Sequence, residues 1–358
     1  MKRSIIIRLW NLVISNGNRF LSSYSYKKLW EWHKLKNKYC GKRVFLIANG
    51  PSLNITPLFL LKNEYTIVFN RSKLMLERLN YNPSFYMLTD GSVGQDIKEE
   101  IVWWAHNCKQ TFIPDIMKGE MIWLRKVLDY NDNIMWMFEE PMSFSRHLPF
   151  VKPGATVIFE AFQVLKYMGF SEVVVVGNDM NYVIHESTKV LNEIVSGGKK
   201  TQQVQSQKDD DPNHFDPRYF GKGKVYHQPT QEVIDRIFDN LDYVAKEYEK
   251  DGVRIVNAGY NSKVKSFPKQ DFYECLGYSD EKIDMIFEEL VLSKGFGSLK
   301  EFLDMSVEGD AGFDKKSEIV AIPVTMAEEV VKNNILEYLP LGPYKSKVYF
   351  INRKIIKS

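Results

Sequence analysis

The stretch from Asn213 to Pro229 concentrates side chains that can exchange protons, and it lies directly before a helical pattern. Pro229 suits the first turn of that helix, which would place His227 beside the helix N-terminus. The positive end of the helix dipole disfavours an imidazolium, and a neutral imidazole can accept a proton as a general base. We therefore predict that His227 is the base, with His214 and Tyr219 as further catalytic candidates. For an isolated histidine, a capping or packing role is the alternative.

A second motif, Ala48-Asn49-Gly50-Pro51-Ser52-Leu53, follows an apolar run. Gly50 would let the backbone approach a ligand and adopt a positive φ, while Asn49 and Ser52 offer an amide and a hydroxyl. The segment lacks both the P-loop pattern and the three glycines of the dinucleotide fingerprint. The sequence motifs that would support ATP hydrolysis or NAD-dependent chemistry are therefore missing from this segment.

Metal chemistry has only weak support in this sequence. Asp90 and Asp179 could hold Mg²⁺ with a nucleotide diphosphate, but each could as easily accept from a hydroxyl or a ribose. They do not form a D-x-D pair, and no two histidines are spaced i, i+4. We predict no metal site.

Five apolar, strand-like runs each end on a small polar residue. The five polar residues are Asn49, Asn70, Asp90, Asp179 and Asn257. In an open parallel sheet the ligand crevice lies outside the carboxyl ends of the strands, so these side chains would converge on one pocket. The alternative is that Asn and Asp are simply favourable turn residues after a strand.

The elements that must position these residues alternate between strand and helix along the chain. Ala155 to Tyr167 has helical spacing and leads into the β-branched run Glu172 to Val176; Thr230 to Glu249 is likewise followed by Val253 to Val256. This alternation predicts an α/β fold, a Rossmann-like, doubly wound, mostly parallel sheet. We assign it to residues 44–265.

Two segments depart from this alternation. Ser196 to Asp211 has almost no apolar residue, so residues 183–226 are expected to form a mobile lid or a disordered excursion. From Glu274 to about Pro340 the pattern is helical and acidic, clearest at Asp280 to Leu292 and Ser298 to Met305. Residues 266–358 are therefore predicted to be a helical appendage with a basic tail.

Charge is distributed unevenly along the chain. The formal net charge is +3, but residues 1–43 carry +10 and residues 344–358 carry +5, which leaves −12 for the body. An acidic body with basic ends argues against a nucleic-acid-binding core. The three cysteines, Cys40, Cys108 and Cys275, are unclustered, which favours a reducing compartment, and the cytoplasm is the expected location.

The basic arm, residues 1–43, mixes Lys and Arg with aromatic and aliphatic residues such as Trp10, Phe20, Trp30 and Trp32. This mixture is typical of segments that lie in the headgroup region of anionic membranes. Its apolar stretch is too short and interrupted to span a bilayer. We predict peripheral contact with the inner face of the cell membrane; a helix packed on the domain and a secretory signal are the alternatives.

The order of these motifs resembles that of the bacterial sialyltransferases of glycosyltransferase family 42, and of the wider MptE-like, or motility-accessory-factor-like, domain family. The resemblance covers about residues 44 to 262. It rests on the Asn49–Leu53 loop, the Asn70 turn, the Gly154 loop that opens a helix, the Gly177-Asn178-Asp179 strand end and His227 before a helix.

The resemblance implies an enzyme that transfers a sugar from a CMP-activated nonulosonate, with inversion and without a metal or other cofactor. It implies that Asn49, Gly50 and Ser52 cradle the donor phosphate and sugar, that Asn70 meets the ribose or cytidine, and that Gly154, Gly177 and Asp179 frame the nucleotide. His227 matches the family's catalytic histidine. Tyr182, Tyr219 and Tyr226 are the candidates for stabilising the departing phosphate.

One departure from the family pattern bears on the donor. The sialyltransferases have Asn where this chain has Asp90, and a carboxylate there would repel an anionic donor unless protonated or paired. An Asp at this place resembles the MptE-like branch, where it could serve a nucleotide-bound metal, and we count Asp90 among the catalytic candidates.

We therefore expect a glycosyltransferase that acts on a surface-polysaccharide or lipid-linked acceptor. The alternatives are a 6-hydroxymethylpterin diphosphokinase using Mg-ATP and a non-catalytic nucleotide-binding module. A homo-oligomer is compatible with each.

Overall fold

The computed structural model describes residues 23–79, 81–114, 133–139, 144, 148–183, 185–196, 199–259, 262–279, 281–282, 285, 319–322 and 347–350. The strands are β1 (Arg43–Ile47), β2 (Tyr65–Phe69), β3 (Phe85–Met87), β4 (Gln110–Pro114), β5 (Ile134–Glu139), β6 (Phe150–Val151), β7 (Glu172–Val176), β8 (Thr188–Ser196), β9 (Lys199–Ser206), β10 (Val225–Gln228), β11 (Arg254–Asn257), β12 (Ile319–Ile322) and β13 (Lys347–Phe350). The α-helices are α1 (Ser23–Leu35), α2 (Leu76–Leu79), α3 (Gly91–Asp96), α4 (Lys98–Asn107), α5 (Val157–Met168), α6 (Gln231–Glu249) and α7 (Phe272–Leu276). Short 3-10 helices cover Pro51–Ile55, Leu58–Asn63 and Ser72–Met75.

Eight strands form one sheet in the order β11-β7-β1-β2-β3-β4-β5-β6, and every neighbouring pair is parallel. Such a sheet is buried on both faces, which explains why its strands read as continuous apolar runs. The predicted α/β, Rossmann-like sheet is confirmed.

Alternate residues of each strand enter two separate apolar layers. Phe45 and Ile47 of β1 pack into the layer that contains Trp104 of α4, whereas Val44 and Leu46 pack into the layer formed with α5 and α6. This alternation follows from the two-residue period of a strand. Helices therefore cover both faces of the sheet, as a doubly wound fold requires.

The sheet reverses its direction of growth beside β1. The chain builds from β1 through β2 to β6 on one side, then crosses back to add β7 and β11 on the other. In parallel sheets a crevice opens at such a reversal, outside the carboxyl ends of the two strands concerned. Here those strands are β1 and β7.

The segment between β7 and α6 has regular structure that its composition did not indicate. β8 and β9 form an antiparallel hairpin, and β10 pairs with β9 to complete a three-stranded sheet, called here the lid sheet. The expectation of a disordered excursion is therefore wrong for the described residues. Backbone hydrogen bonds between strands replace the missing apolar periodicity as the organising interaction.

The described part of the N-terminal arm packs on the domain. Trp32 and Leu35 of α1 are buried, and the Trp32 indole Nε1 donates to the Trp136 carbonyl at 3.1 Å. The Tyr167 hydroxyl in turn donates to the Trp32 carbonyl at 2.9 Å. This half of the arm follows the packed-helix alternative, while residues 1–22 lie outside the described residues, so membrane contact stays a prediction.

The predicted C-terminal helices at Asp280 to Leu292 and Ser298 to Met305 lie almost wholly outside the described residues. In this segment, residues 266–358, the structure shows α7 and a parallel pair formed by β12 and β13, which the helical prediction did not include. Among the helices that the structure describes, none is long and apolar enough to cross a membrane.

Candidate active site

A cleft with a volume of about 150 Å³ lies at the carboxyl ends of β1, β2 and β7, at the reversal of the sheet. Five asparagines share its wall with the N-terminus of α5. The asparagines are Asn49, Asn70, Asn178, Asn181 and Asn213. Each amide can both donate and accept hydrogen bonds, so the lining suits a ligand rich in hydroxyl and carbonyl groups.

Predicted site residues that line this cleft are Asn49, Gly50, Asn70, Gly177, Asp179, Tyr182, His214 and Tyr219. Three of the five polar strand ends, those of β1, β2 and β7, therefore meet as predicted. The strands concerned are direct neighbours, so their final residues lie side by side.

A buried clamp joins the loops after β1 and β7. The Ser52 amide donates to Asp179 Oδ2 at 2.8 Å, and the Ser52 hydroxyl donates to Asp179 Oδ1. Gly50 donates from its amide to the Gly177 carbonyl at 2.8 Å. Ser52 and Asp179 thus fix the cleft wall; Ser52 itself lies behind it.

Position 50 requires a glycine because the two loops approach each other closely there, and not because of its backbone conformation. Its φ is −71°, so the predicted positive φ is wrong. A Cβ at this position would lie 2.5 Å from Asp179 Oδ2 and 2.6 Å from the Gly177 carbonyl oxygen. The two loops can therefore touch only because residue 50 has no side chain.

Burial raises the pKa of Asp179 above its ordinary value, although the hydrogen bonds from Ser52 and the nearby His214 lower it in part. Desolvation disfavours the charged form of a carboxyl group, and donors to that form restore some of the loss. The carboxyl group is thus committed to Ser52 rather than turned toward a ligand.

Asn49 and Asn70 are held by their surroundings. Asn49 Oδ1 accepts from the Ser72 hydroxyl at 3.1 Å. Asn70 has a left-handed backbone with φ 51°, which asparagine tolerates, and its carbonyl accepts from the Tyr86 hydroxyl at 2.8 Å. Asn70 Oδ1 is buried without a protein partner.

His214 forms a histidine–aspartate pair in the cleft. Its Nδ1 lies 2.8 Å from Asp211 Oδ2, and Asp211 is buried. A carboxylate only accepts hydrogen bonds, so Nδ1 carries a proton, and in the neutral ring Nε2 is left as the acceptor. The Tyr219 ring stacks on the imidazole with centroids 3.9 Å apart and an interplanar angle of 3°. The ring is thus fixed in both tautomer and plane.

Asp211 is itself held by the backbone. The Asn213 amide donates to Oδ1 at 2.9 Å and the Phe220 amide to Oδ2 at 3.1 Å. Burial alone would raise the pKa of Asp211, but the hydrogen bond and charge of His214, with these amides, bring it below its ordinary value. Asp211 therefore stays ionised beside the imidazole.

The loop that carries His214 is attached to the sheet by its next residue. Phe215 is buried in the apolar layer that contains α4, and its amide donates to the Asn49 carbonyl at 2.9 Å. This contact joins the proton acceptor to the loop after β1. His214 and Asn49 consequently line the same cleft.

A second histidine–aspartate pair lies within the lid sheet region. His185 Nε2 is 2.6 Å from Asp210 Oδ1, and its Nδ1 is 3.1 Å from the Tyr226 hydroxyl. The Tyr226 ring stacks on Phe220 with centroids 4.1 Å apart. Burial, with the charge of Asp211, raises the pKa of Tyr226 to about 12. Two aspartates that are consecutive in sequence, Asp210 and Asp211, thus each pair with one of the two histidines.

The structure does not bring His227 or Tyr226 to the cleft wall. His227 is an exposed residue of β10 and pairs in register with Gln203, whereas Tyr226 and its partner Val204 face the protein interior. Strand alternation explains the difference, because the inward position is taken by Tyr226. Helix α6 begins only at Gln231, so His227 lies outside its first turn. Its role as base stays a prediction.

Three further polar or glycine positions have local roles. Asp90 is the N-cap of α3, where it accepts from the Ser92 amide at 2.8 Å, and it is not part of the cleft wall. Asn257 is buried and donates to the Val264 carbonyl. The Gly154 amide donates to Glu160 Oε1 at 2.5 Å, in the loop that leads into α5. For Asp90 and Asn257, the turn-residue alternative describes what is observed.

Sequence reasoning missed Asp211, Asn178 and Thr156. The run Asp209-Asp210-Asp211 just before His214 was an available signal, because an acid three residues before a histidine can pair with it in a turn. Within the described part of the chain, no Lys or Arg lines the cleft, and no three His, Cys, Asp or Glu side chains group as metal ligands. The arrangement offers amide recognition, one helix N-terminus and one oriented imidazole.

A scan of protein-family models and a search of curated protein sequences return no match. Among solved structures, the MAf glycosyltransferase from Magnetospirillum magneticum AMB-1 is similar with a TM-score of 0.40 and 13% identity. The match covers 69% of this chain and 38% of that one, so this chain spans well under half of its length. The sialyltransferase CstII from Campylobacter jejuni, in complex with a substrate analogue, cytidine-5'-monophosphate, has a TM-score of 0.34 and 12% identity, covering 64% of this chain and 85% of its own.

Proposed function

We propose that this protein is a glycosyltransferase that moves a sugar from a nucleotide-activated donor to a hydroxyl group of an acceptor. The observation that carries the proposal is the pairing of His214 with Asp211 on a cleft at the reversal of a parallel sheet. Crevices at this position in open α/β sheets commonly bind nucleotides. A proton acceptor fixed at their wall adds the capacity to activate an incoming hydroxyl group.

In this mechanism His214 Nε2 accepts the proton of the acceptor hydroxyl as that oxygen attacks the anomeric carbon of the donor sugar. The new carbon–oxygen bond forms while the bond from the anomeric carbon to the phosphate oxygen breaks. The electron pair of that bond leaves with the nucleotide. Asp211 stabilises the imidazolium that results, as the third member of a base arrangement does.

We assign the base to His214 because it lines the cleft and has an oriented ring. The imidazole of His227 would reach the cleft only after β10 turned its outer face inward. Such a movement would break the contacts of Tyr226 with His185 and Phe220. His214 needs no such rearrangement.

The donor class follows from the resemblance at the Asn49–Leu53 loop and the Gly177–Asp179 strand end, which implies a CMP-activated nonulosonate and no metal requirement. The acceptor class, a surface-polysaccharide or lipid-linked glycan, has the same basis. Membrane attachment through residues 1–22 belongs to the same proposal. Asp90, occupied as a helix cap, is not needed for it.

The first experiment is a thermal-shift panel of CMP, CDP, UDP, GDP and ATP, each with and without Mg²⁺. Stabilisation by CMP that is independent of Mg²⁺ is the expected result, because the cleft lining offers amides rather than metal ligands. Release of CMP from a CMP-activated nonulosonate in the presence of a glycan acceptor is the matching activity assay. A response confined to Mg-ATP would contradict the proposal and favour a diphosphokinase.

A further inference from the structure

The N-terminus of α5 faces the same cleft as His214. Thr156, Val157 and Ile158 all line it. Thr156 is the N-cap of this 12-residue helix, yet its side chain makes no capping hydrogen bond. The first amides of a helix lack intrahelical acceptors, and the helix dipole adds partial positive charge there. This end of the cleft therefore presents donors.

A second donor at this cleft comes from Asn178. The residue is 6% exposed, lines the cleft, and its Nδ2 is buried without a protein partner. Its position is fixed, because the Asn178 carbonyl accepts from the buried Ser262 hydroxyl at 2.6 Å. A buried amide donor left unpaired is costly, which indicates that a ligand atom satisfies it.

Two acids lie near this helix end, and burial raises the pKa of both, which favours their neutral forms. Glu160 lies in the first turn of α5, and burial raises its pKa to about 8, which favours the protonated form near neutral pH. Its Oε1 is engaged by the Gly154 amide. Asp179 also lines the cleft, but both of its carboxylate oxygens accept hydrogen bonds from Ser52.

We propose that Asn178 Nδ2 and the N-terminus of α5 form a phosphoryl subsite, which holds the phosphate of the leaving nucleoside monophosphate. The nucleotide's identity rests on the proposed glycosyltransferase function; the anion subsite itself does not. Since no Lys or Arg of the described residues lines the cleft, this helix end and amide supply the stabilisation of the departing charge.

The test compares ligands with and without phosphate. Calorimetry would measure binding of CMP, cytidine and inorganic phosphate to the wild type, Asn178→Ala and Thr156→Val. Loss of one hydrogen bond to a charged group should weaken CMP and phosphate binding by about 10-fold to 100-fold in Asn178→Ala, with cytidine affinity retained. Thr156→Val keeps the side-chain shape and should produce a smaller loss in the same direction.

Asn181→Ala is the matched control, because Asn181 is an exposed asparagine of the same loop and the same cleft. Equal losses for CMP and cytidine, an equal loss of phosphate binding in Asn181→Ala, or unchanged phosphate binding in both Asn178→Ala and Thr156→Val would overturn the subsite. So would a wild type that binds neither phosphate nor CMP in preference to cytidine. Thermal unfolding of each variant checks that the fold is intact.

The two proposals fail separately. Phosphate binding that depends on Asn178, without sugar transfer from any donor, would retain the subsite and reject the glycosyltransferase. Sugar transfer with a CMP affinity that is unchanged by Asn178→Ala would retain the glycosyltransferase and reject the subsite.

Discussion

The rim of the parallel sheet and the lid segment, residues 183–226, both border the cleft, but they are held together by different interactions. At the rim, the four valines of β7, Val173 to Val176, are almost completely buried between two apolar layers. In the lid, Val204 is the fully buried apolar side chain of the described strand residues, and the surrounding segment depends on polar contacts. Hydrophobic burial forms the rim, whereas the lid segment combines two buried aromatic side chains, Phe215 and Tyr219, with hydrogen-bonded acids.

In the proposed function, this difference separates recognition from proton transfer. The rim provides asparagine amides at strand ends, whose positions follow from the strand order. The lid segment provides His214, whose position depends on Asp211, Tyr219 and the amide of Phe215. A rigid apolar scaffold thus carries the binding groups, and a titratable polar network carries the reactive one.

Replacement of the proton acceptor should give the largest effect. His214→Ala is expected to reduce the rate of sugar transfer by about 100-fold to 10,000-fold, the usual contribution of a general base. Nucleotide binding should change far less, because the rim is intact. Single-turnover rates with a CMP-activated donor, together with the CMP affinity, would separate the two quantities.

His227→Ala tests the competing assignment in the same assay. The exposed position of His227 on β10 predicts a much smaller rate loss than in His214→Ala. A larger loss in His227→Ala would return the base role to His227 and indicate that the lid sheet turns over when substrate binds.

Gly50→Ala should damage the rim while leaving the lid network in place. Its new Cβ would meet Asp179 and Gly177, and overpacking of this kind costs about 1 to 3 kcal/mol of stability. Urea unfolding would measure the loss, and CMP binding should weaken with it. Gly223→Ala in the lid is the control: its φ of 81° makes alanine strained, but no atom lies within 4 Å, so CMP binding should be retained. Equal effects of both variants on CMP binding would argue against a rim held by close approach.

As the pH falls, the lid should be destabilised before the rim. The free-energy change should be smaller than that expected for Gly50→Ala. The pKa of Asp211 is lowered in the folded protein. Its stabilising contribution is therefore present above the ordinary aspartate pKa near 4 and is lost as pH falls through the lowered value. The expected loss is about 1 kcal/mol, the net contribution of one hydrogen bond.

Amide hydrogen exchange between pH 7 and pH 3, corrected for intrinsic rates, would measure this difference. Amides of β9 and β10 should lose protection in acid while those of β1 and β7 keep it. Asp211→Asn should have a less protected lid at pH 7 and a weaker pH dependence. Parallel loss of protection in both sheets would show that the two regions share one source of stability.

The strands of the rim could be predicted from the sequence because burial on both faces leaves a continuous apolar run. The convergence of Asn49, Asn70 and Asp179 then followed from the geometry of parallel strands. Asp90 and Asn257 have the same residue types at the same kind of position, but they bond their own loops. Residue type alone does not reveal whether a side chain after a strand turns to a ligand or to its own backbone.

The lid region was harder to predict because its order arises from specific pairs. The sequence around Asp211 shows no apolar period, and the partner that places His214, the carbonyl of Asn49, is distant along the chain. Likewise, the outward position of His227 depends on the inward position of Tyr226, which is set by Phe220 and His185. Such pairings become visible only in three dimensions.

The clamp between Ser52 and Asp179 spans 127 residues of sequence, which has a consequence for biosynthesis. When the first strand and its loop leave the ribosome, the carboxyl group that completes them has not yet been translated, and the histidine comes later still. The cleft can therefore be complete only after the residues up to Tyr219 have been synthesised. Nascent chains that stop before β7 cannot bind nucleotide there, however much of the sheet they have already formed.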